Sequence, residues 1–491
     1  MDQYFEIVII GAGPAGLTAA IRLLELGHNV ALVEQDPFPR PQIGESLSPG
    51  VQHIFTYLHA GHLLDDPRYL RDIPAQVCWA GGEPTILEAR ERGPGIVVDR
   101  GILDQQMLAF AAGKGLHVFQ PAKFISFIFK SDLWGLTIQS GTGIQTLCSQ
   151  VVLDARGRKA PDRHKRIEIA PASIAVWTHV PASMMPSETR IEAIDEGWLW
   201  GSPVPGDRYR LMAFADAESV KGKDLAVTFL RMLTKGRLFE SAVEKNSDLR
   251  VQTCAVNAYV HAQPWQQQFI KVGEAAFTLD PLSSTGMELA MRFSLQAAMA
   301  VHTLLRYQEP EVAQAFYESK LIDAVADHTL WTAAYYAQSS QANEQRPFWV
   351  KRRNFRVGNI IPSDNFTRLL HYKLNQSPNT QEKRQVPSLP IDSLIRFLWD
   401  KPVKLSHEIG YSSEFVVAND RVERKPALLH PGLPKPVVYL EGIELPLLIS
   451  SLRSGMTYGA AIELWSTHNT LEDIKRVVTF LWGLGIFVES N

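Results

Sequence analysis

The chain has 491 residues and a formal net charge of −3, which allows a large core over about three domains and gives no electrostatic case for nucleic acid. Its three cysteines, Cys78, Cys148 and Cys254, are far apart and form no CxxC, which excludes a disulfide framework and a cysteine metal site and suits a reducing, cytoplasmic setting. No signal segment precedes Ile7, no apolar run reaches the ~18 residues of a membrane span, and no metal site is expected.

Residues 6–10 form a short β-branched run, a buried parallel strand. Gly11, Gly13 and Gly16 follow as G-x-G-x-x-G: a tight turn, an open approach for pyrophosphate, and close packing of helix on strand. The helix that follows has Ala15 in its first turn. Leu17, Ile21 and Leu24 form its apolar face, Gly27 stops it, and its N-terminal amides and dipole suit phosphates. A second strand, 30–33, ends at Glu34, placed for ribose hydroxyls. Together these predict dinucleotide binding, with FAD favoured as a resident cofactor.

The loop QDPFPRPQIGESLSPG follows, with Arg40, Gly44, Glu45 and Ser46 in it. It is expected either to cover a flavin ring or to be a plain surface loop. Residues 51–70 have helical spacing, with His53, His59 and His62 on the surface, and 77–87 reads as an edge of a smaller sheet. A helix over 99–115 turns Leu103, Met107, Leu108 and Ala111 inward, and Arg100 at its start is in reach of a cofactor phosphate or ring edge. A returning strand, 116–120, and a hairpin meander, 124–147, lead to a buried strand, 151–155. That strand carries Asp154 at the carboxyl edge, where ligands bind.

From about 174 to 260 the strands lengthen and alternate, which predicts an inserted antiparallel sheet. Trp198 and Trp200 share one of its faces, as two core tryptophans or as an aromatic wall beside a substrate. The chain then returns. Asp280 and Pro281 lead to Ser284, Gly286 and Met287 at the mouth of a long apolar helix, a second free N-terminus for a flavin ring or ribityl chain. The basic and aromatic stretch 346–356 reads as a packed linker with a solvated basic face, and 375–390 as a polar linker. In the last hundred residues, strands are expected at 415–417 and 437–440. Thr470 caps a helix with Asp473, and Ile474, Val477, Val478, Leu481 and Trp482 form its stripe.

The expected fold is α/β, α+β overall. A discontinuous Rossmann-like FAD-binding domain (1–170 and 265–345) holds an inserted antiparallel β-sheet substrate domain (171–264). A helical linker region (346–400) and a small winged-helix-like C-terminal domain (401–491) follow.

These motifs together resemble the FAD-dependent monooxygenase and halogenase superfamily, with the p-hydroxybenzoate hydroxylase type of fold. The matching pieces are GAGPAG, IGES, DRGILD, DARG and VGEAAFTLDPLSSTGMELA, over about the first 340 residues. Gly273-Glu274 stands where the family has Gly-Asp. WLWGSP, 198–203, is similar to the W-x-W-x-I-P of flavin halogenases. Those enzymes carry a lysine some thirty residues past GES, but Pro74, Ala75 and Gln76 occupy its expected place and no lysine lies between Ser46 and Lys114.

The closest likeness is to halogenase-like flavoproteins that hydroxylate a tryptophan within a partner protein, maturing tryptophylquinone cofactors. It implies FAD, O2, and NAD(P)H used directly or through a partner flavin reductase. The substrate would be a protein or peptide, hydroxylated through a flavin C4a-hydroperoxide. The implied cofactor contacts are Gly11, Gly13, Ala15, Gly16, Glu34, Arg40, Gly44, Ser46, Arg100, Asp154, Asp280, Gly286 and Met287, and the candidate catalytic residues are Trp198, Trp200 and Glu45. Alternatives on the same fold are an aromatic halogenase, an FAD-dependent isoprenoid reductase and a flavoprotein that only binds peptide.

Overall fold

The apolar run at the start of the chain forms a strand, Gln3–Ile10, buried from Ile7 onward in a parallel sheet. The computed structural model describes residues 3–79, 81–89, 93, 95–241, 250–340, 345–358, 360, 362–375 and 390–488. The chain divides into two units, residues 1–376 and 377–491.

In the first unit, Gln3–Ile10 lies between Val30–Val33 and Gly143–Asp154, and all run parallel. His117–Phe119 extends the sheet on one side and Phe269–Lys271 on the other, again parallel. Their carboxyl ends, at Ile10, Val33, Asp154 and Lys271, therefore share one edge, the ligand edge of an α/β sheet. The expected meander is present: Leu133–Ser140 runs antiparallel to both Ala122–Lys130 and Gly143–Asp154. Helix Pro14–Glu25 ends as its sequence predicts, with Gly27 left-handed at φ 78°. It packs against the long helix Gly286–Tyr307.

A second sheet of seven strands runs in the order Gln252–Ala255, Ser173–Pro181, Arg208–Asp216, Gly197–Val204, Thr189–Ile194, Ala75–Cys78, Thr85–Leu87. Its pairings are antiparallel except that Thr189–Ile194 and Ala75–Cys78 run parallel. One face buries Leu199, Leu211, Phe229 and Phe239, and the other packs on an aromatic core. Helix Pro347–Arg353 is packed, as expected of 346–356, and Arg346, Lys351 and Arg356 are exposed, but Arg352 departs from the solvated basic face. Phe348, Trp349 and Arg352 all turn inward, and Arg352 donates to Asp216 Oδ1 (2.7 Å) and Ser173 Oγ (2.7 Å).

The second unit has its own core, with Leu398, Ile462, Val478 and Phe487 at its centre. Helix Ile391–Leu398, read from sequence as linker, contributes to that core. Of the polar stretch 375–390, residues 376–389 lie outside the described residues. The expected strand at 415–417 is part of one arm of a hairpin of two nine-residue strands, Gly410–Ala418 and Arg421–Leu429. Thr470 Oγ1 accepts from Asp473 N (3.1 Å), and Ile474, Val477, Val478 and Leu481 of the stripe are buried while Trp482 is half-buried. Among the described residues no helix is long and apolar enough to cross a membrane.

Candidate functional site

The first helix presents an open N-terminus at the ligand edge. Gly13 caps it without a side-chain hydrogen bond, and no atom of the described residues lies within 4 Å of where a Cβ at Gly13 would stand. Gly11 and Gly16 are closed positions. A Cβ at Gly11 would meet Ala155 O at 2.6 Å, and one at Gly16 would meet Gly11 O. The cradle thus has space only where pyrophosphate needs it. Glu34, 3% exposed, accepts from Ala12 N (2.7 Å) through Oε2, and from Asp36 N (2.9 Å) and Arg40 Nη1 (3.2 Å) through Oε1. A second open N-terminus stands at Gly286, again with nothing described within 4 Å of its missing Cβ and no side-chain cap from Thr285. Residues 281–290 keep partial or full exposure in a largely apolar segment. Two uncapped helix starts, one with a buried carboxylate beside it, suit the phosphates and ribose of a dinucleotide.

The GES loop is gripped from two sides. Arg100, buried, makes two hydrogen bonds of 3.1 Å to Asp104 and donates to Ile43 O (3.1 Å). Glu45 meets Arg210 of the second sheet at 2.6 Å (Oε1–Nη2) and 2.9 Å (Oε2–Nη1), and also accepts from Gly44 N. Burial pushes the Glu45 carboxyl above its ordinary value, and the Arg210 guanidinium offsets part of that rise. Ser48 Oγ donates to Glu288 Oε2 (2.5 Å) in the first turn of the second helix, tying the loop to that helix.

Strand register defines the sheet face that meets this loop, because directly opposed residues share a face. One row holds Ala175, Phe214, Trp198 and Ala193, the next Trp177, Met212, Trp200 and Ile191, and the next His179, Arg210, Ser202 and Arg190's neighbour Thr189. The face is aromatic at one end and polar at the other. Trp198, 4% exposed, stacks on Phe214 at 3.7 Å and 8°. Trp79, Tyr336 and Trp349 close around that pair, and Trp349 Nε1 donates to Ile194 O (2.9 Å). At the polar end Arg210 lies 4.4 Å above the Trp177 ring and donates to His179 Nε2 (3.1 Å). Burial and the neighbouring arginines push His179 down to about 4. The strand before Trp79 presents Val77 to the aromatic core and turns Cys78 to the opposite core.

Several residues singled out from sequence are occupied within the protein. Both oxygens of Asp154, wholly buried, take hydrogen bonds of 2.8 Å from Arg156, and Lys271 Nζ lies 3.6 Å away. Asp280 caps the turn Pro281–Ser283 and accepts from Tyr336 OH (3.0 Å). Ala15 is buried in the first helix, and Gly44, Ser46 and Met287 keep exposure at the loop and second helix. Trp200 shares the face with Trp198 but is only half buried. Sequence reading missed Arg210, His179, Tyr336 and Trp349. Arg210 was within reach of it, since Arg210, Met212 and Phe214 alternate along one strand.

The family model for tryptophan halogenase matches residues 6–79 and 154–366. The tryptophan 2-halogenase of Chondromyces crocatus is 27% identical over 374 residues, 71% of this chain and 70% of that protein. Two solved structures at 21% identity share the fold. The flavin-dependent halogenase CmlS has a TM-score of 0.73, covering 100% of this chain and 96% of its own. The peptidyl tryptophan dihydroxylase QhpG, essential for tryptophylquinone cofactor biogenesis, has a TM-score of 0.70, covering 98% and 99%.

Proposed function

The chain belongs to the tryptophan halogenase family of flavin-dependent enzymes, and from that premise we propose that it hydroxylates a tryptophan-like aromatic side chain within a polypeptide. The observation that carries this reading is the strand leading to Trp79. Pro74, Ala75 and Gln76 stand where a halogenase lysine is expected, so no ammonium is there to hold hypohalous acid. One cation on that sheet face, Arg210, is already paired with Glu45 and His179.

FAD, when bound, supplies the reducing equivalents and activates O2. Gly11, Gly13 and Gly16 with Glu34 would hold its nucleotide end, and the helix start at Gly286 and Met287 would face the ring end. Arg100 and Arg210 fix the covering loop, Trp198 and Phe214 form a rigid aromatic backing to the sheet face, and Trp200 faces the substrate ring. The electrons come from NAD(P)H, directly or through a partner flavin reductase.

A polypeptide substrate suits the second unit. Its strand Gly410–Ala418 pairs on one side only among the described residues, which leaves an edge for an extended segment to join by main-chain hydrogen bonds. Halogenation is the competing reading, favoured by the Chondromyces crocatus relative. The test supplies reduced FAD, O2 and bromide with a tryptophan-containing polypeptide and follows product mass. Added oxygen without bromine supports hydroxylation, and brominated product overturns it.

A further inference from the structure

Helix Pro310–Ser340 carries His328, Thr332 and Tyr336 at successive i, i+4 positions, so the three side chains form one stripe. The stripe faces Asp280, the buried acid of the turn that leads into the second open helix. Tyr336 OH lies 3.0 and 3.2 Å from the two Asp280 carboxyl oxygens. The His328 ring interacts with the Asp280 backbone, and its Nε2 lies inside the protein. That Nε2 and the Thr332 hydroxyl are buried with no hydrogen-bond partner among the described residues. Both residues line a cavity of about 30 Å³, together with Asp280, Tyr336 and Arg352. Ala170, Thr329 and Phe355 line it too and keep partial exposure.

Two buried polar atoms without partners, on residues lining a cavity that Ile169, Pro171, Ala258 and Ala333 also line, call for solvent. A cavity needs about 10–15 Å³ to take one water, so this one has room for one or two. We propose that it holds ordered water joining His328 Nε2 and Thr332 Oγ1 to the Tyr336 hydroxyl and the Asp280 carboxyl, and that this chain carries protons between the buried acid and solvent.

The proposal deepens the hydroxylation reading and, for its role in turnover, rests on it. In that reaction one oxygen atom of O2 enters the ring and the other leaves as water. The electrons come from the nicotinamide reductant, and protons must come from solvent into a site walled by aromatic rings. The groups facing Asp280 are Tyr336 and His328 from one helix and Arg352 from helix Pro347–Arg353, with Leu282 N in its own turn. Burial pushes the Asp280 carboxyl up and so favours its protonated form, while Leu282 N, Arg352 and Tyr336 pull the other way. Burial pushes His328 down to about 4, which leaves it uncharged near neutrality.

The test titrates tryptophan fluorescence of the oxidised, FAD-loaded full chain, without substrate. Trp349, 5.8 Å from the Tyr336 ring, and Trp198, in the same aromatic core as Tyr336, report on the acid. Wild type is expected to show a transition above the usual carboxylate range that Asp280→Asn removes. Thr332→Val and His328→Leu are expected to raise its midpoint by on the order of one pH unit, because the water that hydrates the carboxylate is lost. An unmoved midpoint in both variants overturns the proposal. If either fails to fold, a high-resolution crystal structure of the wild type decides: water within hydrogen-bond distance of His328 and Thr332 supports it, and an empty cavity overturns it. In turnover, His328→Ala is expected to lower kcat about tenfold with KM unchanged, and added imidazole to restore it. Loss without rescue removes the relay. The titration reads the proton chain alone, so a failed hydroxylation reading leaves it standing.

Discussion

Arg210 and Glu45 close a buried ion pair, at 2.6 and 2.9 Å, between the inserted sheet and the GES loop. Removing one partner strands the other charge out of water. Arg210→Met is therefore expected to lose about 3–5 kcal/mol of stability and to loosen flavin, whereas Arg210→Met with Glu45→Leu recovers much of the loss. Denaturant unfolding and flavin retention on gel filtration measure both. Equal losses in the single and double variants would show that the pair does not hold the loop.

The glycines of the first turn separate binding from folding. Gly13 has an ordinary φ of −78° and open space beside it, so Gly13→Val is expected to fold and to purify colourless. Gly16→Val drives a side chain into Gly11 O and is expected to unfold the unit instead. The measurement is the flavin absorbance set against circular dichroism. A folded yellow Gly13→Val removes the pyrophosphate assignment.

Acid should weaken the fold through its buried histidines. His28, His179, His261 and His328 are each pushed by burial from 6.5 down to about 4. Between those values the unfolded chain binds more protons, so their contribution is present above 6.5 and is lost as pH falls toward 4. Glu45 and Asp280, whose values burial raises, act in the opposite sense, so the test is a difference. His261 Nδ1 accepts from Gln263 N (3.0 Å), a bond that an asparagine oxygen can replace without titrating. Thermal midpoints of His261→Asn are expected to fall less steeply than wild type over this window. Parallel curves would mean that His261 already titrates normally.

The local rules were readable and the long-range ones were not. Gly11 to Glu34 gave strand, turn, helix and strand because each signal there lies within a few residues of its neighbour. Trp198 and Trp200 were placed on one face because strand period alone decides that. What Arg100 does was not readable, since its partner Ile43 O lies on a loop whose path no periodicity encodes. The packing of helix Pro347–Arg353 was readable, but not that Arg352 leaves its basic face for Asp216, more than a hundred residues away in sequence. Helix Ile391–Leu398 lost its place to short length and a polar approach, although three of its residues are core.

The second unit can be separated by its own core. A chain ending after Asn375 keeps every residue of the two large sheets and is expected to remain folded and yellow. It is expected to keep reducing O2 and to lose binding to a polypeptide partner, read by calorimetry or co-elution. Loss of flavin on truncation would make the second unit a brace, and undiminished modification of the partner would remove its recognition role.

The two tryptophans of the shared face should part company. Trp198 is 4% exposed and stacked on Phe214, so Trp198→Ala opens a large cavity and is expected to cost about 3–5 kcal/mol. Its activity loss then says little about chemistry. Trp200 lies opposite Met212 and is only half buried, so Trp200→Ala should cost much less stability and keep its flavin. If Trp200 faces the substrate ring, this variant loses product while it still consumes O2 and reductant, and Trp200→Phe recovers part of the coupling. Mass-detected product per O2 consumed reads the effect. A Trp200→Ala enzyme that stays as well coupled as wild type would return both rings to the core and leave the substrate wall to be sought elsewhere on the face.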